Sequence, residues 1–316
     1  MSSHPSRPGR THRLTRDQFV RRLDPATPPA ITIDSGDEVI VESWDAFMGA
    51  WQRGEQPDHL GPANGPIAVR GAMPGDALRI ELLELTPTEL APGRAAFHNG
   101  AGRFGFLTET FTDPYPLVMA LRDGALEFPG GLRLPVNPSL GFIATTDTVP
   151  RRTSSDCGPF GGDIDAKELV AGSTLWLPVL VPGALLCLGD MHATLGDGCV
   201  GGTGAECAGR SRIRVTLEAG RPLARPRALT PSHLIAICHG EDLGQAMKQA
   251  VRDMVEYLTD AYGLPAYDAY TLLSLAGDIR ISRAFRPVSP VKMLLDRAVF
   301  DQLAAARAGT QAQSTR

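Results

Sequence analysis

The sequence predicts a mainly β protein, with a β-sandwich or jelly-roll-like body and a smaller C-terminal α/β portion, α+β overall. Three observations carry this. The 34 glycines and 26 prolines lie between short apolar runs, the pattern of many turns joining many strands. Several of those runs alternate apolar and polar residues with period two. After Pro226 the period lengthens, and Leu243, Met247, Ala250, Val251, Met254 and Leu258 fall on one helical face.

In order along the chain, residues 1–18 read as a disordered tail, because Ser, Pro, Gly and Arg leave little to bury. A β-rich body is expected over 19–225, an α/β subdomain over 226–306 and a frayed tail over 307–316. From Ala30 to Glu42, alternation on both sides of Ser35-Gly36-Asp37 predicts a hairpin or strand pair. The same grammar recurs from Gly65 through the Pro74-Gly75-Asp76 turn to Leu78, Ile80 and Leu82. Thr86 to Asp113 reads as a long loop carrying His98 and Asn99.

Short strands are expected at Leu117–Leu121, Ala125–Phe128, Leu132–Leu134 and Gly141–Thr146. A second block holds Thr174–Leu180, Ala184–Leu188 and Arg212–Leu217. A helix is expected over Leu243–Tyr262, stopped by Gly263, and another over Ala266 to about Ala276. A third is read from Val291 to about Ala306, with Ser289-Pro290 as cap and first-turn proline. Between the last two, Asp278–Phe285 returns as a strand. There is no fixed-period repeat.

A formal net charge of -4 offers no basic footprint, so nucleic acid is not an expected partner. The N-terminus lacks the apolar segment of a secretory signal, and no apolar run is long enough to span a membrane. A cytoplasmic protein with no membrane partner is therefore expected. The five cysteines (157, 187, 199, 207 and 238) form no C-x-x-C pair, which favours reduced thiols over a structural metal cluster.

Catalytic residue types concentrate in Asp156–Asp165, Gly189–Gly198 and Gly201–Glu206, alternating with glycine. Glycine lets a backbone take positive φ and approach a ligand closely. Asp190 and His192 are two apart, so on an extended strand both face one side, and Asp163 and Asp165 share that spacing. Such ligands with one open position would suit a catalytic divalent metal. Aspartates beside glycines are also ordinary turn formers, as at Gly36-Asp37 and Gly75-Asp76. His192 has the alternative of being a satisfied core histidine. His59 and His98 are weaker candidates in loops.

The run GPFGGDIDAKELVAGSTLWLPVLVPGALLCLGDMHATLGDGCVGGTGAE resembles the acetamidase/formamidase family pattern. That pattern has a Gly-Gly-Asn-x-Asp turn, a Gly-Ser-x-Leu-x-Leu-Pro-Val strand, a Pro-Gly-Ala turn, Gly-Asp-x-His-Ala, Gly-Asp-Gly-Glu and a Gly-Thr-x-x-Glu ending. Weaker similarity runs from Leu23-Asp24-Pro25 to the DIRIS strand. The resemblance implies hydrolysis of short amides such as formamide or acetamide to carboxylate and ammonia. Lactam-cleaving members widen the substrate range to lactams and larger amides. Two departures stand out: Asp163 replaces the asparagine, and Cys199 replaces the glutamate of Gly-Asp-Gly-Glu. Cys199 is then a replacement ligand, a nucleophile or a mark of altered specificity.

Other amidase chemistries fit poorly. None of the three lysines (167, 248 and 292) lies in a Gly-Ser-rich segment, and no Gly-x-Ser-x-Gly elbow occurs. The expected catalytic set is Asp165, His192 and Glu206. Asp165, Asp190 and His192 are expected to bind a divalent metal, zinc or calcium, or to fix a water, with no organic cofactor. Glu206 would shuttle a proton to the leaving ammonia. Gly161, Gly162, Asp163 and Cys199 are expected to contact substrate, the two glycines as oxyanion donors. A small-molecule amide and a second copy of the chain, in a homo-oligomer, are the expected partners. The rival is a non-catalytic sandwich that binds small molecules or carbohydrate and holds calcium in its Gly-Asp turns. Convergence of Asp165, Asp190, His192 and Glu206 in a pocket closed to bulk solvent discriminates the two.

Overall fold

The computed structural model describes residues 9–316 except 51–52, 56–60, 89–104, 114, 116 and 315–316; His59, His98 and Asn99 lie outside the described residues. The body is two large sheets. The nine-stranded one runs, in spatial order, Thr11–Leu14, Glu38–Ser43, Gly209–Glu218, Ala77–Pro87, Thr174–Pro178, Arg227–Leu229, His233–Gly240, Ser289–Asp296 and Gly277–Ile281. The eight-stranded sheet orders Cys157–Gly158, Gly161–Asp163, Ser139–Ala144, Leu186–His192, Ala63–Val69 and Phe19–Val20. Glu206–Cys207 pairs with Leu186–His192, and Ile31–Ile33 with Ala63–Val69. One apolar core takes Val41, Ile80 and Ile213 from the first sheet and Ile67, Ile143 and Leu188 from the second, so the sheets pack as the expected sandwich.

Ile31–Ile33 and Glu38–Ser43 do not form the expected hairpin. The first pairs in parallel with Ala63–Val69, and the second joins the other sheet. The Asp37 carboxylate fixes this corner by accepting from the Arg10 N–H at 2.7 Å and the Asp34 N–H at 3.0 Å. Thr11–Leu14, inside the segment read as a tail, pairs in parallel with Glu38–Ser43. Two strands joined by a short turn can serve different sheets when each has a better partner elsewhere, which local alternation does not reveal.

Helix α1 spans Leu243–Tyr262, capped by the Asp242 side chain accepting from the Gln245 N–H and ended by Gly263 at φ 69°. Helix α2 spans Ala266–Ala276. The third helix differs from expectation. Ser289–Asp296 is a strand, and α3 covers Arg297–Ser314, continuing through the stretch read as frayed. The run VKMLL is apolar apart from Lys292, and both faces of this strand are covered. Val291, Met293 and Leu295 pack with the helices, and Leu294 with the sandwich core. His233–Gly240 is buried the same way, with Leu234, Ala236 and Cys238 toward the helices and Ile235 and Ile237 toward the sandwich. Such strands lose period two and resemble helix segments in sequence. The sheet therefore continues through the boundary read at residue 225.

Candidate active site

The site sits where Ser139–Ala144 lies between Gly161–Asp163 and Leu186–His192, with Glu206–Cys207 on the outer side of the latter. His192 is cross-strand from both Ser139 and Glu206. Its Nε2 is 2.9 Å from Glu206 Oε1 and 3.8 Å from Asp190 Oδ2, while Nδ1 is 3.8 Å from Asp165 Oδ1. The Gly204 N–H donates to Glu206 Oε1 at 2.9 Å and so orients that carboxyl.

Asp190 and His192 converge, but not through simple strand alternation. Asp190 has φ 57°, Asp165 φ 50° and Cys199 φ 44°. Side chains outside glycine rarely take this left-handed region, at a cost of about 1–3 kcal/mol each, least for aspartate, and such residues cluster at functional sites. Space for the cluster comes from Gly141. A Cβ there would lie 2.5 Å from Asp190 Oδ2, 2.6 Å from His192 Cε1 and 2.9 Å from Asp165 Oδ1. The Gly141 carbonyl also accepts from the Ile164 and Asp165 N–H groups, at 2.9 and 3.1 Å. Sequence reading missed Gly141, since it stands in a strand with no polar neighbour to mark it.

His192 and Glu206 are each 2% exposed and Asp165 is 4% exposed; Asp190 is half-buried. Burial would lower the His192 pKa, but Glu206, Asp190 and Asp165 outweigh it and push it up to about 10. Burial raises the Asp165 carboxyl to about 6, with His192 opposing and Glu206 adding to the rise. Glu206 and Asp190 are raised by burial too, with His192 opposing in both. Burial and the surrounding carboxylates hold the Cys199 thiol well above its ordinary value, and it hydrogen-bonds Asp165.

A cavity of about 80 Å³ is lined by Asp163, Asp165, Asp190, His192, Cys199 and Glu206 together with Phe47, Phe142, Ser154, Ser155 and the segment carrying Arg283, Phe285 and Arg286. Gly161 and Gly162, expected as oxyanion donors, are absent from that lining. They pair with Ala144 and Ile143 on one side and with Gly158 and Cys157 on the other. A Cβ on either would collide with a neighbouring carbonyl, that of Ile143 or of Asp156, so these glycines allow close strand packing. Asp45, also missed in sequence, is fully buried. It accepts from the Phe47 and Gly49 N–H groups at 2.9 Å each and so shapes the turn that brings Phe47 to the cavity.

The donor set fits a divalent cation. One oxygen each from Asp165 and Asp190 and one His192 nitrogen lie within 4.8 Å of one another, roughly the span of two bonds of 2.0–2.6 Å. Asp165 Oδ1, His192 Nδ1 and Glu206 Oε2 are buried without hydrogen-bond partners, although nearly all buried polar atoms have one. Three carboxylates around one imidazole leave net negative charge for a cation to neutralise.

A two-sheet body with this acid and imidazole cluster lining one cavity defines a β-sandwich protein with a polar, largely buried candidate site. The model of the Acetamidase/Formamidase family matches residues 9–149 and 143–302, and the chain belongs to that family. It is 26% identical to an acetamidase of Mycolicibacterium smegmatis over 82% of this chain and 86% of that protein. A putative formamidase of Schizosaccharomyces pombe is 29% identical over 61% of this chain, a match spanning 62% of that protein. The crystal structure of a recombinant predicted acetamidase/formamidase from Thermoanaerobacter tengcongensis superposes with a TM-score of 0.86 at 30% identity, covering 94% of this chain and 99% of that one. Among the described residues, no helix is long and apolar enough to cross a membrane.

Proposed function

We propose that the protein hydrolyses the C–N bond of short amides to carboxylate and ammonia. The observation that carries this reading is the convergence of Asp165, Asp190, His192 and Glu206 on one cavity, with His192, Glu206 and Asp165 almost wholly buried. Its relatives, named acetamidase and formamidase, point the same way.

Asp165, Asp190 and His192 would hold a divalent ion, and the imidazole nitrogen among the donors favours zinc over calcium. When bound, such an ion supplies Lewis acidity to the amide carbonyl and to the attacking water. Glu206 keeps a proton to higher pH than an ordinary carboxyl, because it is buried, and delivers it to the leaving nitrogen. His192 is oriented for this by its bond to Glu206. Cys199 and Asp163 form walls of the substrate space.

Five buried free cysteines support a reducing, cytoplasmic setting. A homo-oligomer is supported by the apolar groups exposed on α2 and the edge strand Gly277–Ile281, namely Tyr267, Tyr270, Leu275 and Ile279. The deciding experiment is ammonia release from formamide, acetamide and propionamide, before and after chelation and after zinc is restored. Release that falls on chelation and returns with zinc is expected; no release under any condition would overturn the reading.

A further inference from the structure

Arg283 is 1% exposed, yet it lines the cavity. Its Nη1 pairs with Asp163 Oδ2, and Nη2 donates to the Ser155 carbonyl at 3.3 Å and lies 3.8 Å from Cys157 Sγ. Nε is buried with no hydrogen-bond partner. Phe285 stands beside it, with the Arg283 and Arg286 guanidinium carbons 5.9 and 5.6 Å from its ring centre. Arg286 lines the cavity as well.

These contacts share no residue with those of His192, which meets Asp165, Asp190 and Glu206. The cavity therefore has two chemically distinct walls. One carries carboxylates and imidazole; the other carries two guanidiniums, one carboxylate and an aromatic ring. Formamide and acetamide offer nothing to the second wall. A buried guanidinium costs several kcal/mol to desolvate unless charge and hydrogen bonds compensate, and Asp163 meets only part of that need. The carboxylate at 163, where the family pattern has asparagine, is what allows a cation to be buried there.

We infer that Arg283, assisted by Arg286, receives a carboxylate at the far end of the substrate, making the preferred substrate a short monoamide of a dicarboxylic acid. Nε is the Arg283 donor that Asp163 and Ser155 leave unmet, and a charge-assisted hydrogen bond from it to a carboxylate is one no neutral amide tail can match. A site with buried polar donors rejects a ligand lacking the matching group, because those donors are then left unmet.

This inference rests on the amide-hydrolase reading, and two measurements separate their failures. In the zinc-loaded enzyme, kcat/KM for malonamate and succinamate is expected to exceed that for propionamide and butyramide at least about 100-fold. The ratio is expected to fall at least about tenfold in the Asp163→Asn, Arg283→Gln double variant, which keeps a neutral buried pair where Arg283→Gln alone would strand Asp163. Equal or better use of the neutral amides would overturn the inference and leave the hydrolase reading standing. Should no amide release ammonia, titration calorimetry with succinate and acetate still decides. Tighter binding of succinate, lost in the double variant, supports the carboxylate receptor; equal binding of both anions, or no binding, overturns it.

Discussion

Glu206 Oε1 reaches His192 Nε2 at 2.9 Å, and the Asp190 Oδ2 atom lies 3.8 Å from that same nitrogen. One edge of the imidazole thus faces two carboxyls, while its other nitrogen faces Asp165. The ring cannot be removed without stranding buried acid groups. His192→Ala and Asp165→Asn are each expected to cost at least about 100-fold in kcat for amide hydrolysis with the fold retained, as when a positioned acid, base or ligand is lost. Circular dichroism with steady-state ammonia release checks this, and near-normal turnover in both variants would move the site elsewhere.

Gly141 supplies the volume that the cluster occupies. In Gly141→Ala the added methyl must displace Asp190, His192 or Asp165, all within 2.9 Å of its position. Because the crowded atoms belong to the proposed catalytic cluster, activity should drop at least about 100-fold while stability falls by only about 1–3 kcal/mol, the usual cost of overpacking. Zinc content after dialysis should fall in parallel. An active variant that retains zinc would show that the cluster tolerates rearrangement.

Cys199 lines the cavity and bonds Asp165, so it borders the proposed substrate space. Cys199→Glu introduces the carboxylate of the family pattern and fills space. The expected outcome is a shift of kcat/KM toward formamide and acetamide, at least about fivefold relative to butyramide, on the ordinary scale of a methylene-sized pocket change. Matched kinetics on those three amides decide the point, and an unchanged preference would make the substitution irrelevant to specificity.

Lys292 is fully buried and donates to Glu168 and Asp197, each at 2.6 Å. Asp197 belongs to the turn that carries Cys199, and the Gly198 N–H is bonded to the Ile281 and Ser282 carbonyls. Lys292→Met leaves both carboxylates with weaker partners and should cost about 3–5 kcal/mol, the price of breaking a buried ion pair from one side. Adding Glu168→Leu should recover part of that loss. Urea unfolding of the three proteins measures it, and a single variant as stable as the parent would mean that the network contributes nothing.

His239 is depressed to about 4 by burial, with Arg225 and Arg152 adding to the effect. The unfolded chain takes up a proton at this residue near its ordinary value of about 6.5, while the folded protein resists until about pH 4. Stability from this residue is thus complete above pH 6.5 and is lost as pH falls toward 4. His239→Gln should flatten the decline of the unfolding free energy over that window. An unchanged slope would assign the acid lability to other groups.

What the sequence determined by itself was local. Alternation and turn chemistry marked most of the sandwich strands, and the apolar face from Leu243 to Leu258 with the Gly263 stop marked α1. The glycine-flanked Asp165, Asp190, His192 and Glu206 were legible because polar groups on tight turns stand out among apolar strands. Tertiary structure decided what depends on partners distant in the chain. The corner at Asp37 became a sheet crossing because Ile31–Ile33 and Glu38–Ser43 found partners in different sheets. Ser289–Asp296 became a strand because apolar layers cover both its faces, which erases the period that distinguishes strand from helix. Gly161 and Gly162 lie against neighbouring carbonyls away from the cavity lining, and Gly141 leaves the space that Asp165, Asp190 and His192 occupy, since a glycine's role is set by what approaches it. Arg283 carries no local mark of function. Only folding places it against Asp163, a residue 120 positions earlier in the chain, in the lining of the cavity.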